Sequence, residues 1–154
     1  MMYQNLTEFK SAIPNQGRIV ALDVGSKTIG IALSCTTQTI ATPSHLIKRK
    51  KFTNDANLIL DFVLEQNAIA IVIGLPVTLD GEDSKTTQST KQFARNLSKL
   101  TDLPIYLQDE RMSSIISDNV MKQAGMATGK RQENIDKISA GYILQTTLDS
   151  LSNL

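Results

Sequence analysis

The sequence predicts an α/β domain: a mixed five-stranded sheet of order 3-2-1-4-5, strand 2 antiparallel, with helices on both faces. Three observations carry this. Arg18 to Ser34 (RIVALDVGSKTIGIALS) is an apolar run, a Gly-Ser-Lys turn and a second run that alternates, with Ile29, Ile31 and Leu33 on one face and Thr28, Gly30 and Ala32 on the other. Ala68 to Ile73 (AIAIVI) is wholly apolar, as expected of a strand covered on both faces. Stretches of helical spacing lie before and after that run, which is the rhythm of βα units and parallel strands.

A chain of 154 residues can bury one core without disulfide or metal staples. Sixteen Lys plus Arg against fifteen Asp plus Glu leave a net charge of +1, so a site for a polyanion must come from local placement of charge. Cys35 is the only cysteine, which excludes an intrachain disulfide and a Cys-rich metal site; His45 is the only histidine, which argues against His-based zinc chemistry. The opening residues hold no apolar stretch long enough for a signal peptide, and no run is long enough to span a bilayer. The expectation is a cytoplasmic protein with no membrane partner.

Residues 1–16 read as an N-terminal extension, with Leu6, Phe9 and Ile13 in a weak helical pattern closed by Pro14 and docked loosely; residues 17–154 read as a single domain. After the hairpin, Thr37 to Ile47 continues as a third strand, and Pro43 suits an edge, where its missing N–H is harmless. Lys48-Arg49-Lys50-Lys51 reads as a solvated basic turn. Thr53 or Asn54 can cap a helix whose inward positions are Leu58, Ile59, Phe62 and Val63. The fourth strand ends at Gly74-Leu75-Pro76 and a polar loop, Thr78 to Asp83, follows. Ser84 caps the next helix, with Phe93, Ala94, Leu97 and Leu100 inward. Pro104 opens the fifth strand, Ile105 to Leu107, which runs into Gln108-Asp109-Glu110-Arg111. Ser113 caps a helix carrying Ile116, Val120 and Ala124 and ended by Gly125; Met126 to Glu133 is a loop; a last helix runs from about Asn134 to Leu148. Tyr106 and Tyr142 read as core residues.

In this topology the strand order reverses between strands 1 and 4, and open α/β sheets bind ligands at the carboxyl ends of strands beside such a point. Asp23 sits there among apolar neighbours, and a buried carboxylate costs several kcal/mol unless something charged meets it. Glu110 and Asp109 end a parallel strand two places away, roughly 10 Å distant. Gly74 lies between and leaves room above it for an ion and a phosphate. Asp136, in the first turn of the last helix, shares a face with Ala140, Ile143 and Thr147 and is the third acid. Asp23, Glu110 and Asp136, without His or Cys, form a hard-oxygen set suited to Mg²⁺ or Mn²⁺ and hence to phosphodiester chemistry, with Asp109 in reserve if the strand turns Glu110 away. Lys27, Arg111, Lys130 and Arg131 flank these acids and are candidates to bind phosphates. Taken singly, Asp136 also reads as a helix-start residue and Glu110 as half of a surface ion pair with Arg111. The run from Gly125 to Arg131 is not a P-loop, because the glycine spacing is one residue short and Arg stands where Ser or Thr must hold magnesium.

The segments ALDVGSKTIGIALS, IVIGLPVTLDGED, LQDERMSS and NIDKISAGYILQ, in this order and spacing, resemble the YqgF (RuvX) family. The resemblance covers Arg18 to Asp149. It implies an RNase H-like fold and an activity described either as Holliday junction resolution or as maturation of the 5′ end of pre-16S ribosomal RNA. Residue by residue, it puts the family's first-strand acid on Asp23, its Asp-Glu-Arg motif on Asp109, Glu110 and Arg111, and its last-helix acid on Asp136. Holliday junction resolvases of related fold carry a Glu where this chain has Gly74-Leu75-Pro76, a gap that Glu110 can fill, and a further acid where it has Ser139, a gap that leaves fewer ligands for two metal ions. The expectation is a Mg²⁺- or Mn²⁺-dependent endonuclease acting on structured nucleic acid: pre-rRNA in ribosome biogenesis, in contact with ribosomal particles, or branched DNA in recombination. A non-cleaving nucleic-acid-binding assembly or transcription factor is the other reading. End maturation of one RNA suits a monomer, and a junction with two symmetric strands suits a homodimer. An actin-like ATPase, which Asp-Val-Gly-Ser also resembles, would need two such domains across a cleft.

Overall fold

The computed structural model describes residues 1–77, 84–110 and 128–154, the side chains of 128–134 excepted. In chain order its elements are β1 (Met2–Tyr3), α1 (Leu6–Ala12), β2 (Arg18–Val24), β3 (Thr28–Ser34), β4 (Ala41–Lys48), α2 (Phe52–Glu65), β5 (Ala68–Leu75), α3 (Lys85–Ser98), β6 (Ile105–Asp109) and α4 (Thr128–Ser152). The sheet order is β1-β6-β5-β2-β3-β4. β2, β5 and β6 are parallel, β3 alone runs against them, and β4, antiparallel to β3, returns to their direction, so the five expected strands take the expected order.

Alternation along the strands divides the core in two. Val20, Leu22, Ile29, Ile31, Ile71 and Ile73 face α2 and α3. Ile19, Ala21, Ala32, Ala70 and Val72 face α4 and the N-terminal residues. The second face is built from small side chains, and Ala21, Ala32, Ala70 and Ala140 are all fully buried, which lets α4 lie close against the sheet.

Several expectations are corrected. The N-terminal segment is not loosely docked: Met2 and Tyr3 pair with Ile105 and Tyr106 as a sixth strand. Asn5 caps α1 by accepting from the N–H of Glu8 at 3.0 Å, and Phe9 is fully buried, stacked on Tyr106 at 5.1 Å between ring centroids. Phe9→Ala is expected to lower the unfolding free energy by about 3–4 kcal/mol, read as the urea midpoint. An unchanged midpoint would mean that this segment adds nothing to the core.

The third strand starts at Ala41, because Cys35 donates its N–H to the carbonyl of Ile40 (3.0 Å) and closes a turn before it. Pro43 does lie on the edge strand. Helix α2 starts at Phe52, ahead of the expected caps, since Phe52 packs edge-on against Phe93 at 5.2 Å; Lys51 stands at the cap without a side-chain bond. Ser84 caps α3 as expected, in a reciprocal box with Thr87. Leu100 lies past the end of α3 and is exposed, and Tyr142 points outward from α4 while Ala140 and Ile143 point in. Helix α4 begins at Thr128, so most of the segment expected as a loop over Met126 to Glu133 is helical. Lys, Arg, Gln and Glu there are strong helix formers that lack an apolar period. The expected loop at Thr78 to Asp83 and the helix after Ser113 lie outside the described residues. Among the described residues no helix is long and apolar enough to cross a membrane.

Candidate active site

The site is built where β2 and β3 meet α4 at Asp136, which lies past the second turn of a helix that begins at Thr128 and not in its first turn as the sequence suggested. Asp23 pairs directly with Gly30 across the hairpin, so the two residues share a face of the sheet, and the strand opposite Asp23 presents no side chain. Helix α4 uses that gap: a Cβ on Gly30 would stand 2.1 Å from the carbonyl oxygen of Asp136 and 3.2 Å from the backbone nitrogen of Lys137. The helix backbone therefore touches the strand backbone at Asp136. Two positions along the strand, on the same face, Thr28 donates its hydroxyl to Oδ2 of Asp136. Glycine and threonine together fix where the Asp136 carboxylate goes, and its charge faces Asp23.

Asp23 keeps partial solvent access, but protein surrounds most of its carboxyl. Burial, and secondarily the charge of Asp136, push its pKa from 3.8 up to about 7. A first-strand carboxyl that resists ionisation while a second carboxylate repels it is a pair that a divalent cation would reconcile. The donors are all hard oxygens, with no His or Cys, which fits Mg²⁺ or Mn²⁺.

The third acid stands apart. A Cβ on Gly74 would fall 2.9 Å from Oε2 and 3.0 Å from Cδ of Glu110, and 2.4 Å from Cδ1 of Ile143, so the Glu110 carboxylate lies over Gly74 on the face covered by α4. The N–H of Glu110 donates to the carbonyl of Leu75 at 3.2 Å, extending the β5–β6 ladder by one residue. Alternation then puts Glu110 and Gln108 on the α4 face, where Gln108 accepts from Thr147 at 3.0 Å, and turns Asp109 to the other face. Among the described residues no three His, Cys, Asp or Glu side chains are gathered closely enough to hold one ion. Asp23 and Asp136 are brought together; Glu110 is on their face but not in one cluster with them.

Lys27 is exposed in the turn after Asp23. Lys130 and Arg131 belong to the first turns of α4, and Arg111 lies outside the described residues. Ser139, one turn beyond Asp136 on α4, is fully buried. Sequence reasoning missed Thr28 and Gly30. Their signal was present: a glycine within a β-branched strand, opposite a buried acid, marks a close backbone approach.

Comparison with known proteins bears on this arrangement. A family model described as RuvX, Holliday junction resolvase, matches residues 17–150. A relative from Rhodobacter capsulatus, named "Putative pre-16S rRNA nuclease", is 42% identical over 154 residues, covering 100% of this chain and 97% of its own. A relative of the same name from Zymomonas mobilis is 44% identical over 149 residues, 97% of this chain and 91% of its own. Among solved structures, Thermus thermophilus RuvC in complex with a Holliday junction substrate superposes with a TM-score of 0.55 at 9% identity, over 88% of this chain and 96% of that one. The fowlpox virus resolvase bound to Holliday junction DNA gives 0.52 at 12% identity, over 87% and 98%. At such identities these two establish a shared fold, the RNase H-like fold of the resolvases.

Proposed function

Because the chain belongs to the RuvX family, which it matches over residues 17–150 and nearly the full length of its relatives, we propose that it is a divalent-metal-dependent endonuclease that processes the 5′ end of pre-16S rRNA. The observation that carries the reading is the facing pair Asp23–Asp136 at the carboxyl end of β2, beside the switch point between β2 and β5. Asp23 and Asp136 would hold the ion, and Glu110, from its place over Gly74, would complete the site when substrate is bound.

Mg²⁺ or Mn²⁺, when bound, supplies Lewis-acid activation of the scissile phosphate and neutralises its charge. The chain's own residues do the rest. Thr28 holds the Asp136 carboxylate by its hydroxyl and keeps it from turning away. Glu110 is proposed to accept a proton from the attacking water, and the space over Gly74 that the sequence suggested for a phosphate is taken up by Glu110 itself and by Ile143. Lys27, exposed in the turn beyond Asp23, supplies charge toward the phosphodiester backbone, and Lys130, Arg131 and Arg111 are proposed to extend that contact.

Cleavage of a pre-16S transcript tests the reading. Wild-type protein with Mg²⁺ or Mn²⁺ should produce the mature 5′ end and lose that activity in EDTA. Glu110→Gln should lower the rate by about a hundredfold, whereas Asp109→Asn, on the other face, should change it by less than about fivefold. Equal losses in the two variants would reverse the assignment of Glu110, and no cleavage with either metal would remove the nuclease reading. One observation favours a second reading, a factor that binds pre-rRNA and cleaves weakly: Glu110 is not clustered with the two aspartates, and the position three residues beyond Asp136 is the neutral Ser139. Footprints on pre-rRNA that are equal with and without metal, together with no cleavage, would select it.

A further inference from the structure

The basic run after β4 contains one side chain that does not face solvent as its neighbours do. Arg49 Nη1 donates to the carbonyl of Gly25 at 2.7 Å, and the Arg49 backbone N–H donates to the carbonyl of Lys27 at 2.9 Å. Both acceptors belong to the Gly25-Ser26-Lys27 turn that directly follows the strand carrying Asp23. The guanidinium is held from three sides. Its carbon sits 5.6 Å from the centroid of Phe93 on α3. Its Nε faces Oδ2 of Asp55 at 4.0 Å, an ion pair without a hydrogen bond. Asp55, in the first turn of α2, is fully buried and also accepts from the N–H of Lys50 at 3.1 and 3.3 Å. A fully buried carboxylate is a costly way to stabilise a helix, since an apolar side chain of similar volume would serve as well or better. It is an effective way to orient a fork: one edge of the guanidinium turns to Asp55, which leaves Nη1 aimed at Gly25.

We propose that Arg49 is a positioning residue for the active site, using Asp55 and Phe93 as its seat to clamp the turn beyond Asp23 and so to fix where Asp23 and Lys27 stand. Arg49 touches neither acid of the site, and its action runs through the backbone of the turn. Lysine cannot replace it, because a single ammonium cannot meet the Gly25 carbonyl, face Asp55 and lie over Phe93 at once.

The kinetic part of this inference rests on the nuclease reading; the structural part does not, and the experiment separates them. Amide hydrogen exchange of metal-free protein reports the clamp directly, since the Gly25 N–H is bonded to the Thr28 carbonyl at 2.8 Å within the same turn. In Arg49→Lys, exchange at Gly25 should quicken about tenfold while Ile71 and Ile73 in β5 exchange as before, and kcat should fall about tenfold with KM within about twofold. Asp55→Asn should move the same quantities in the same direction by a smaller factor, and serves if Arg49→Lys does not fold. Unchanged Gly25 exchange in both variants overturns the clamp. Equal acceleration at Ile71 and Ile73 assigns Arg49 to general stability and overturns it too. A raised KM with kcat retained makes Arg49 a contact to substrate phosphate instead. If wild-type protein cleaves nothing, the nuclease reading falls while the exchange data still decide whether Arg49 holds the turn.

Discussion

Asp23→Asn should abolish cleavage and, in the same preparation, make the metal-free protein more stable at neutral pH. The two effects have one cause. The Asp23 carboxyl is raised from 3.8 to about 7, first by burial and then by the charge of Asp136, so the folded protein holds its proton more tightly than the unfolded chain does. The stabilisation from that proton is fully present below about pH 4 and is lost as pH rises toward 7, because the unfolded chain has already released its proton over that interval. Above pH 7 the folded state carries a poorly solvated charge beside a second one. Partial solvent access limits the penalty to on the order of 2–3 kcal/mol, below what the full shift would imply. Asparagine keeps the shape and cannot ionise. Urea unfolding in EDTA should therefore show the variant close to wild type at pH 4.5 and more stable by about 2 kcal/mol at pH 8, with the decline between those values absent. Adding Mn²⁺ at pH 8 should raise the stability of wild type and not of the variant. Cleavage should drop by about a thousandfold or more, the scale for losing a group that supports a developing charge. A variant no more stable than wild type at pH 8 would mean that Asp23 is not buried at an electrostatic cost. Full cleavage by the variant would remove Asp23 from the reaction.

Much of this was legible in the chain, because the features that carry the fold are periodic. The alternation from Thr28 to Ser34 and the unbroken apolar run at Ala68 to Ile73 identify the hairpin and the central parallel strand, and the handedness of crossovers then leaves one simple order. Asp23 stood out because a charge interrupts an apolar strand. What was not legible depends on contacts across long sequence separations. A two-residue strand has no period to read, so β1 was missed, and with it the burial of Phe9 against Tyr106. The start of α4 has helix-forming residues without an apolar stripe, so a search for periodicity passes over it. Arg49 looked like one of four solvated cations, and only the folded chain shows Asp55, Phe93 and Gly25 around it. The separation of Glu110 from the two aspartates is likewise a matter of how far a side chain reaches across Gly74, which strand spacing alone does not decide.

Gly30→Ala is expected to be the most damaging glycine-to-alanine substitution among the described residues, and to damage the site through the helix. The added carbon would lie 2.1 Å from the carbonyl oxygen and 2.6 Å from the carbonyl carbon of Asp136. Both are backbone atoms of a helix of 25 residues, packed along its length on the fully buried Ala140, Ile143, Leu144 and Leu148, so no rotamer change can relieve the overlap. The helix must move away from the strand. That shift would open the alanine-lined interface, separate Asp136 from the Thr28 hydroxyl and change its distance from Asp23, all at once. The expected loss is about 3 kcal/mol or more in unfolding free energy, at the upper end for overpacking because nothing flexible can yield. Cleavage should fall by about a hundredfold even where the protein is fully folded, since displacement of the order of 1 Å at a reacting group is enough for that. Gly74→Ala is the control. Its methyl would meet Cδ1 of Ile143 and the Glu110 carboxylate, which are the ends of flexible side chains, so stability should fall by less than about 1.5 kcal/mol while Glu110 is pushed aside. Urea midpoints should therefore rank wild type, Gly74→Ala and Gly30→Ala in descending order. If Gly30→Ala matched wild type in both midpoint and rate, the direct backbone contact between β3 and α4 could not be what places Asp136 in the site.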